Sequence, residues 1–126
     1  MNYEISVLND DTIILVTATP DFNFNGDIEN MQEAVLAILE AADHPFALII
    51  DTRALKPDFS TLVSAMYQGT RGSFAMFGHA ALRQHIFITE NPMVKIGAKA
   101  FSQEQYGGIQ VTVVSTLEEA LAAVDA

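Results

Sequence analysis

The sequence predicts a single α/β domain whose core is a mixed, mainly parallel sheet of about five strands with four helices. Three observations predict it. Strand-like apolar runs and amphipathic helical runs alternate from residue 27 onward, and parallel strands need crossovers of that kind. The first two apolar runs are separated only by Asn9, Asp10 and Asp11, a turn that makes them a hairpin. The chain has 126 residues, half of them hydrophobic, which fits one domain with one substantial core. The whole of 1–126 is therefore one expected domain, with no repeat, low-complexity segment or linker.

In the first run, Tyr3, Ile5 and Val7 alternate with Glu4 and Ser6, as in a strand with one wet face. Ile13 to Val16 is apolar on both faces and belongs further inside the sheet. Asp27 stands where an N-cap belongs, ahead of a run that places Ile28, Met31, Val35, Ile38, Leu39 and Ala42 on one side of a helix. His44 and Pro45 stop that helix, and Phe46 to Ile50 reads as a buried strand ending at Asp51. A second helix is expected from about Phe59, with Leu62, Val63 and Met66 inward and Gly69 and Gly72 weakening its far end.

The segment QHIFIT is the next strand, followed by a helix that Asn91 caps and Pro92 opens, where a missing N–H costs nothing. Its spacing predicts Met93, Ile96, Gly97 and Ala100 inside and Lys95 and Lys99 in water. IQVTVV is the last strand, and Thr116 with Glu119 has capping-box spacing ahead of the last helix.

The charge pattern narrows the partners. The net charge is −10, and phosphate binding needs clustered Lys and Arg, so nucleic acid and an anionic membrane are not the expected partners. Residues 1–52 hold ten acids and no base, while 53–99 hold all six bases against two acids. This asymmetry either only solvates the surface or steers a partner or a second copy of the chain. There is no cysteine, the N-terminus has neither a basic region nor a long apolar run, and the expected compartment is the cytoplasm.

Ligands of parallel sheets bind beyond the carboxyl ends of the strands, which here carry Asp51, Thr89 with Glu90, and Ser115 with Thr116. A receiver-type phosphoacceptor would use Asp51 and Thr89, but Asp10 and Asp11 lie in a hairpin turn and no Lys follows the last strand. There is no G-x-S-x-G elbow, and GTRGSFAMFG lacks the Lys and spacing of a phosphate-binding loop. His44, His79 and His85 have no ligand spacing, so no metal or other cofactor is expected. Phe74, Met76 and Phe77 read either as core or as the lining of an apolar ligand pocket.

Element order and one loop together resemble a known family. Strand, strand, helix and then three strand-helix units is the layout of STAS domains, the SpoIIAA-like fold of bacterial anti-sigma-factor antagonists. LIIDTRAL resembles the strand and exit that precede the family's phosphorylation loop. DFSTL resembles the helix opening, with Asp58 and Leu62 at matching places. Phe59 stands where the family often has serine, Thr61 replaces a glycine, and the loop is about one residue shorter.

The resemblance implies a non-enzymatic regulatory module that binds a protein partner, a kinase or an anti-sigma-like regulator, with room for a homodimer. It makes Ser60 the first candidate for phosphorylation and Thr61 the second, with Arg53, Lys56 and Asp58 facing the partner. The plainer alternative is that Ser60 or Asp58 only caps the helix. A small apolar-ligand or lipid-binding protein is the other function that the sequence leaves open, and an enzyme working at Asp51 and Thr89 is the third.

Overall fold

The computed structural model describes residues 2–9, 11–23, 26–55, 58, 60–61, 64, 79–100 and 110–124. The elements run β1 (Tyr3–Leu8), β2 (Ile13–Ala18), α1 (Asp27–Ala41), β3 (Phe46–Asp51), β4 (Leu82–Ile88), α2 (Pro92–Ala100), β5 (Thr112–Val114) and α3 (Leu117–Ala123). The strands form one sheet in sequence order, β1-β2-β3-β4-β5. β1 and β2 are the antiparallel hairpin, and the other pairs are parallel. The mixed sheet is thus as the sequence predicts, while three helices rather than four are found among the described residues. Ser60, Thr61 and Ser64 are helical, and the rest of the expected second helix lies outside the described residues.

The hairpin turn needs left-handed backbone at two places, Asn9 (φ 53°) and Asp11 (φ 62°), residue types whose short polar side chains tolerate it. Thr12 N–H closes the turn on the Leu8 carbonyl at 3.1 Å. β3 lies in the middle of the sheet and is buried along its whole length, which explains why both of its faces are apolar. Where β3 meets β4 the register shifts between Phe46 and Ala47, with Arg83 as the extra residue of a bulge.

A strand order that advances in one direction through right-handed crossovers places every crossover helix on the same face. α1 and α2 share a face in this way. Met31, Val35 and Leu39 of α1 and Ala98 of α2 pack on Ile14, Val16, Leu48, Ile50 and Phe87. The opposite face carries Ile13, Ala47, Ile49, Ile86 and Ile88, and α3 covers it with Ala120, Leu117 and Ala123. α3 leaves the β5 edge and returns toward the hairpin, where Val124 lies beside Leu8 and Ile13. The Ala123 carbonyl accepts a 3.0 Å bond from the Gln84 side chain on the way.

The helix starts are partly as expected. Asn91 Oδ1 accepts the Met93 N–H at 2.8 Å, and Thr116 Oγ1 accepts the Glu119 N–H at 3.1 Å. Glu119 returns its carboxylate to the Ser115 N–H at 3.2 Å, one residue earlier than a strict capping box. At α1 the expectation fails: Gly26 is the N-cap and gives no side-chain bond. Asp27 is already inside the helix and turns back to accept from Asn23 N–H at 2.7 Å and the Asn2 amide at 3.0 Å.

Two helical side chains also differ from expectation. Gln32 is buried among the apolar residues of α1, and Ile96, expected inside, is 64% exposed. α2 instead turns Val94, Gly97 and Ala98 to the sheet, because small residues let helix and sheet approach closely. Val7 of β1 is also exposed, although Tyr3 on the same side of the strand is buried.

Candidate functional site

β3 delivers Asp51 to the carboxyl end of the sheet, beside the end of β4. Thr52 staples that exit: its N–H and its hydroxyl both donate to the Ile88 carbonyl, at 2.9 and 2.8 Å. The Asp51 carboxylate is occupied by Arg53. Arg53 Nε donates to Oδ1 at 3.0 Å, Nη2 to Oδ2 at 2.7 Å, and the Arg53 main-chain N–H to Oδ1 at 3.1 Å. Burial pushes the Asp51 carboxyl up, but the side-chain bonds, the main-chain bond and the charge of Arg53 outweigh it and hold its pKa below the ordinary value. A carboxylate held in this fork anchors the strand exit.

The loop then turns at Thr52, whose carbonyl accepts the Leu55 N–H at 2.9 Å, and reaches Asp58. Asp58 Oδ1 accepts the Thr61 N–H at 2.7 Å, the geometry of an N-cap. The Thr61 main chain, and then its side chain, hold the Asp58 carboxyl below the ordinary range. Of the two residues offered as caps by the sequence, Asp58 has the role. Ser60 lies in the first helical turn after it and is exposed, while Thr61 is half-buried and bonded to Asp58.

The other strand ends are committed to local structure. Thr89 is buried, its N–H donates to the Val114 carbonyl at 2.9 Å, and its hydroxyl accepts the Asn91 N–H at 3.1 Å. Ser115 and Thr116 serve the start of α3. Asp51 and Thr89 therefore sit at adjacent strand ends, yet each is held by other bonds.

The three histidines are apart. His44 holds the hairpin turn through Nε2 on the Asp11 carbonyl, with Nδ1 3.3 Å from Asp43, and stacks at a tilt on Phe46. His79 Nδ1 accepts the Ala81 N–H at 3.0 Å, and His85 sits on β4, where burial pushes its pKa down. Among the described residues no three His, Asp or Glu side chains come together as a metal site.

Lys56, Phe74, Met76 and Phe77 lie outside the described residues. An open groove of about 380 Å³ is found elsewhere, between the hairpin turn and α3, lined by Leu8, Asn9, Ile13, Leu121 and Val124. Local periodicity gives no sign of it, since the groove exists only because α3 folds back across the sheet. The exposure of Ile96 was likewise hidden, because α2 is apolar at nearly every position except its two lysines.

Among the described residues no helix is long and apolar enough to cross a membrane. No protein-family model, no curated protein and no solved structure matches the chain.

Proposed function

We propose that this chain is a non-enzymatic regulatory protein-interaction module of STAS type, switched by phosphorylation at Ser60. One observation carries the reading: Asp58 caps the helical turn through Thr61, so the Ser60 hydroxyl stays exposed just beyond the exit of the central strand. The binding of Asp51 by Arg53 supports it as well, because this buried carboxylate at the end of the central strand is already neutralised.

A phosphoryl group on Ser60 adds about −1.5 to −2 charges in the first turn of a helix. Free N–H groups and the helix dipole favour that charge, and the ionised Asp58 opposes it. The opposing influences leave the fold in place while the exposed loop becomes strongly negative. The switch therefore acts on what docks there, a kinase in one state and an anti-sigma-like regulator in the other.

The test compares Ser60→Ala and Ser60→Asp with the parent chain as bait in native cells, followed by affinity measurement on each captured protein. The expected result is at least one partner whose affinity changes by about tenfold or more with Ser60→Asp while the melting temperature is unchanged. Equal affinity of all three chains for every partner would remove the switch.

A further inference from the structure

β1 ends the sheet on one side, and among the described residues it pairs with β2 alone, in an unbroken antiparallel register from Tyr3 with Ala18 to Leu8 with Ile13. The Asn2 carbonyl accepts the Thr19 N–H and the Leu8 carbonyl accepts the Thr12 N–H, each at 3.1 Å. Main-chain groups alternate in direction along a strand, so Glu4, Ser6 and Leu8 share that inward direction. The N–H and C=O of Tyr3, Ile5 and Val7 therefore point away from β2, along the outer edge. The run Tyr3–Leu8 has no proline, no lysine and no bulge, the devices that usually block such an edge. β5, at the other side of the sheet, is protected by being only three residues long.

The side chains beside the β1 edge indicate what fits it. Ile5 is half-buried against the core that α1 covers, and Val7, on the same side of the strand, is 38% exposed. Glu4 and Ser6 are exposed on the opposite side. The start of α1 brings more acid to the head of the strand: the Asn2 amide donates to the Asp27 carboxylate at 3.0 Å. Burial first, and then the charges of Asp27 and Glu33, raise the Tyr3 pKa, so both carboxylates act on this end of β1. Residues 1–52 contain no base to offset them.

We propose that the outer edge of β1 takes up an extended segment of a protein partner as a further strand, with apolar side chains beside Ile5 and Val7 and Lys or Arg beside Glu4. Bonds to the main chain of Tyr3, Ile5 and Val7 supply the affinity, and the alternation of side chains supplies the selection. A basic segment is favoured over a second copy of this chain, because two β1 edges would bring together Glu4, Asp27 and Glu33 of both copies with no base between them. The edge uses no residue of the Ser60 loop and stands whether or not Ser60 is modified.

Amide exchange followed by NMR on the isotope-labelled full chain tests the proposal. In the free chain the Ile5 and Val7 amides should exchange faster than those of Ser6 and Leu8. The probe is a short end-capped peptide alternating Val and Lys. It should bind saturably and slow exchange at Ile5 and Val7 by about tenfold or more, leaving Ser6 and Leu8 as they were. The same peptide with Glu for Lys should not bind. Glu4→Lys should weaken binding of the Lys peptide by about threefold or more. Val7→Pro removes an outward N–H and no bond to β2, a change that an edge strand tolerates, and should weaken binding by about fivefold or more. Far-UV circular dichroism checks that both variants are folded, and the two peptides on the parent need no variant. Failure of the Lys peptide to bind overturns the proposal, as does equal binding of the Glu peptide, or binding that leaves the Ile5 and Val7 amides unprotected. Protection of those amides that grows with protein concentration alone also overturns it, by giving the edge to a second copy.

Discussion

Arg53→Ala isolates the forces that hold the exit of the central strand. The Asp51 side chain is 11% exposed, and Arg53 gives it two side-chain bonds and one main-chain bond. Alanine removes the two side-chain bonds and the charge and keeps the third bond. Breaking a fully buried pair costs about 3–5 kcal/mol. Here the Arg53 side chain is 42% exposed, so solvent already screens the pair and can reach the abandoned carboxylate. The expected loss at neutral pH is therefore roughly 1–2 kcal/mol, or about 4–8 °C in melting temperature.

The pH dependence separates this cause from simple loss of packing. In the parent, Asp51 has a lowered pKa, so its ionisation contributes stability above the ordinary carboxylate range, which is lost as pH falls through the folded value. In the variant, burial becomes the leading influence and the folded pKa moves above the ordinary value. Ionised Asp51 then costs stability at neutral pH, and the cost fades as acid protonates it. The gap between parent and variant should be widest near pH 7, narrower near about pH 4, and closed only below the lowered folded value of the parent, measured by urea unfolding at a series of pH values. In an Asp51→Asn background, Arg53→Ala should cost only a few tenths of a kcal/mol. A gap that is the same at both pH values, or undiminished in that background, would refute the reasoning.

Two further outcomes follow from the loop contacts. The Asp11 carbonyl, and then Asp43, raise the His44 pKa, so the stability that His44 contributes is fully present below its ordinary value of 6.5 and is lost as pH rises through the folded value. The difference between the parent and His44→Gln should therefore shrink from mildly acidic to alkaline pH, and a constant difference would show that the hairpin contact does not depend on charge. Thr116→Ala removes the acceptor of the Glu119 N–H and frees the Glu119 carboxylate from Thr116 Oγ1. It should cost about 1 kcal/mol in urea unfolding, and a loss under a few tenths would mean that the cap is redundant.

Where local chemistry decides the structure, the sequence is readable. Phe46 to Ile50 can only be a strand apolar on both faces, Asn91 followed by Pro92 can only begin a helix, and the Thr116 to Glu119 spacing has one common use. Where two local solutions are nearly equal, tertiary contact chooses between them. Apolar residues at 93, 94, 96, 97, 98 and 100 define two overlapping helix faces, and the small Gly97 and Ala98 decide which one meets the sheet. Asp27 satisfies the cap rule by type, yet its carboxylate is drawn to Asn23 and to Asn2, a partner 25 residues away that no helix rule contains. At the strand exit, the sequence puts both Asp51 and Arg53 in view but not the fork between them. That fork is what ties the Asp51 carboxylate to the strand exit.

The return of α3 across the sheet also bears on how the chain is made. Successive strands lie side by side, so most of the sheet can assemble in the order in which it leaves the ribosome. The face bearing Ile13, Ala47, Ile49, Ile86 and Ile88 gains its α3 cover only once residues 117–123 have emerged. Until then a nascent or truncated chain displays a greasy flank to chaperones and proteases, so the docking of α3 is the step that seals this face.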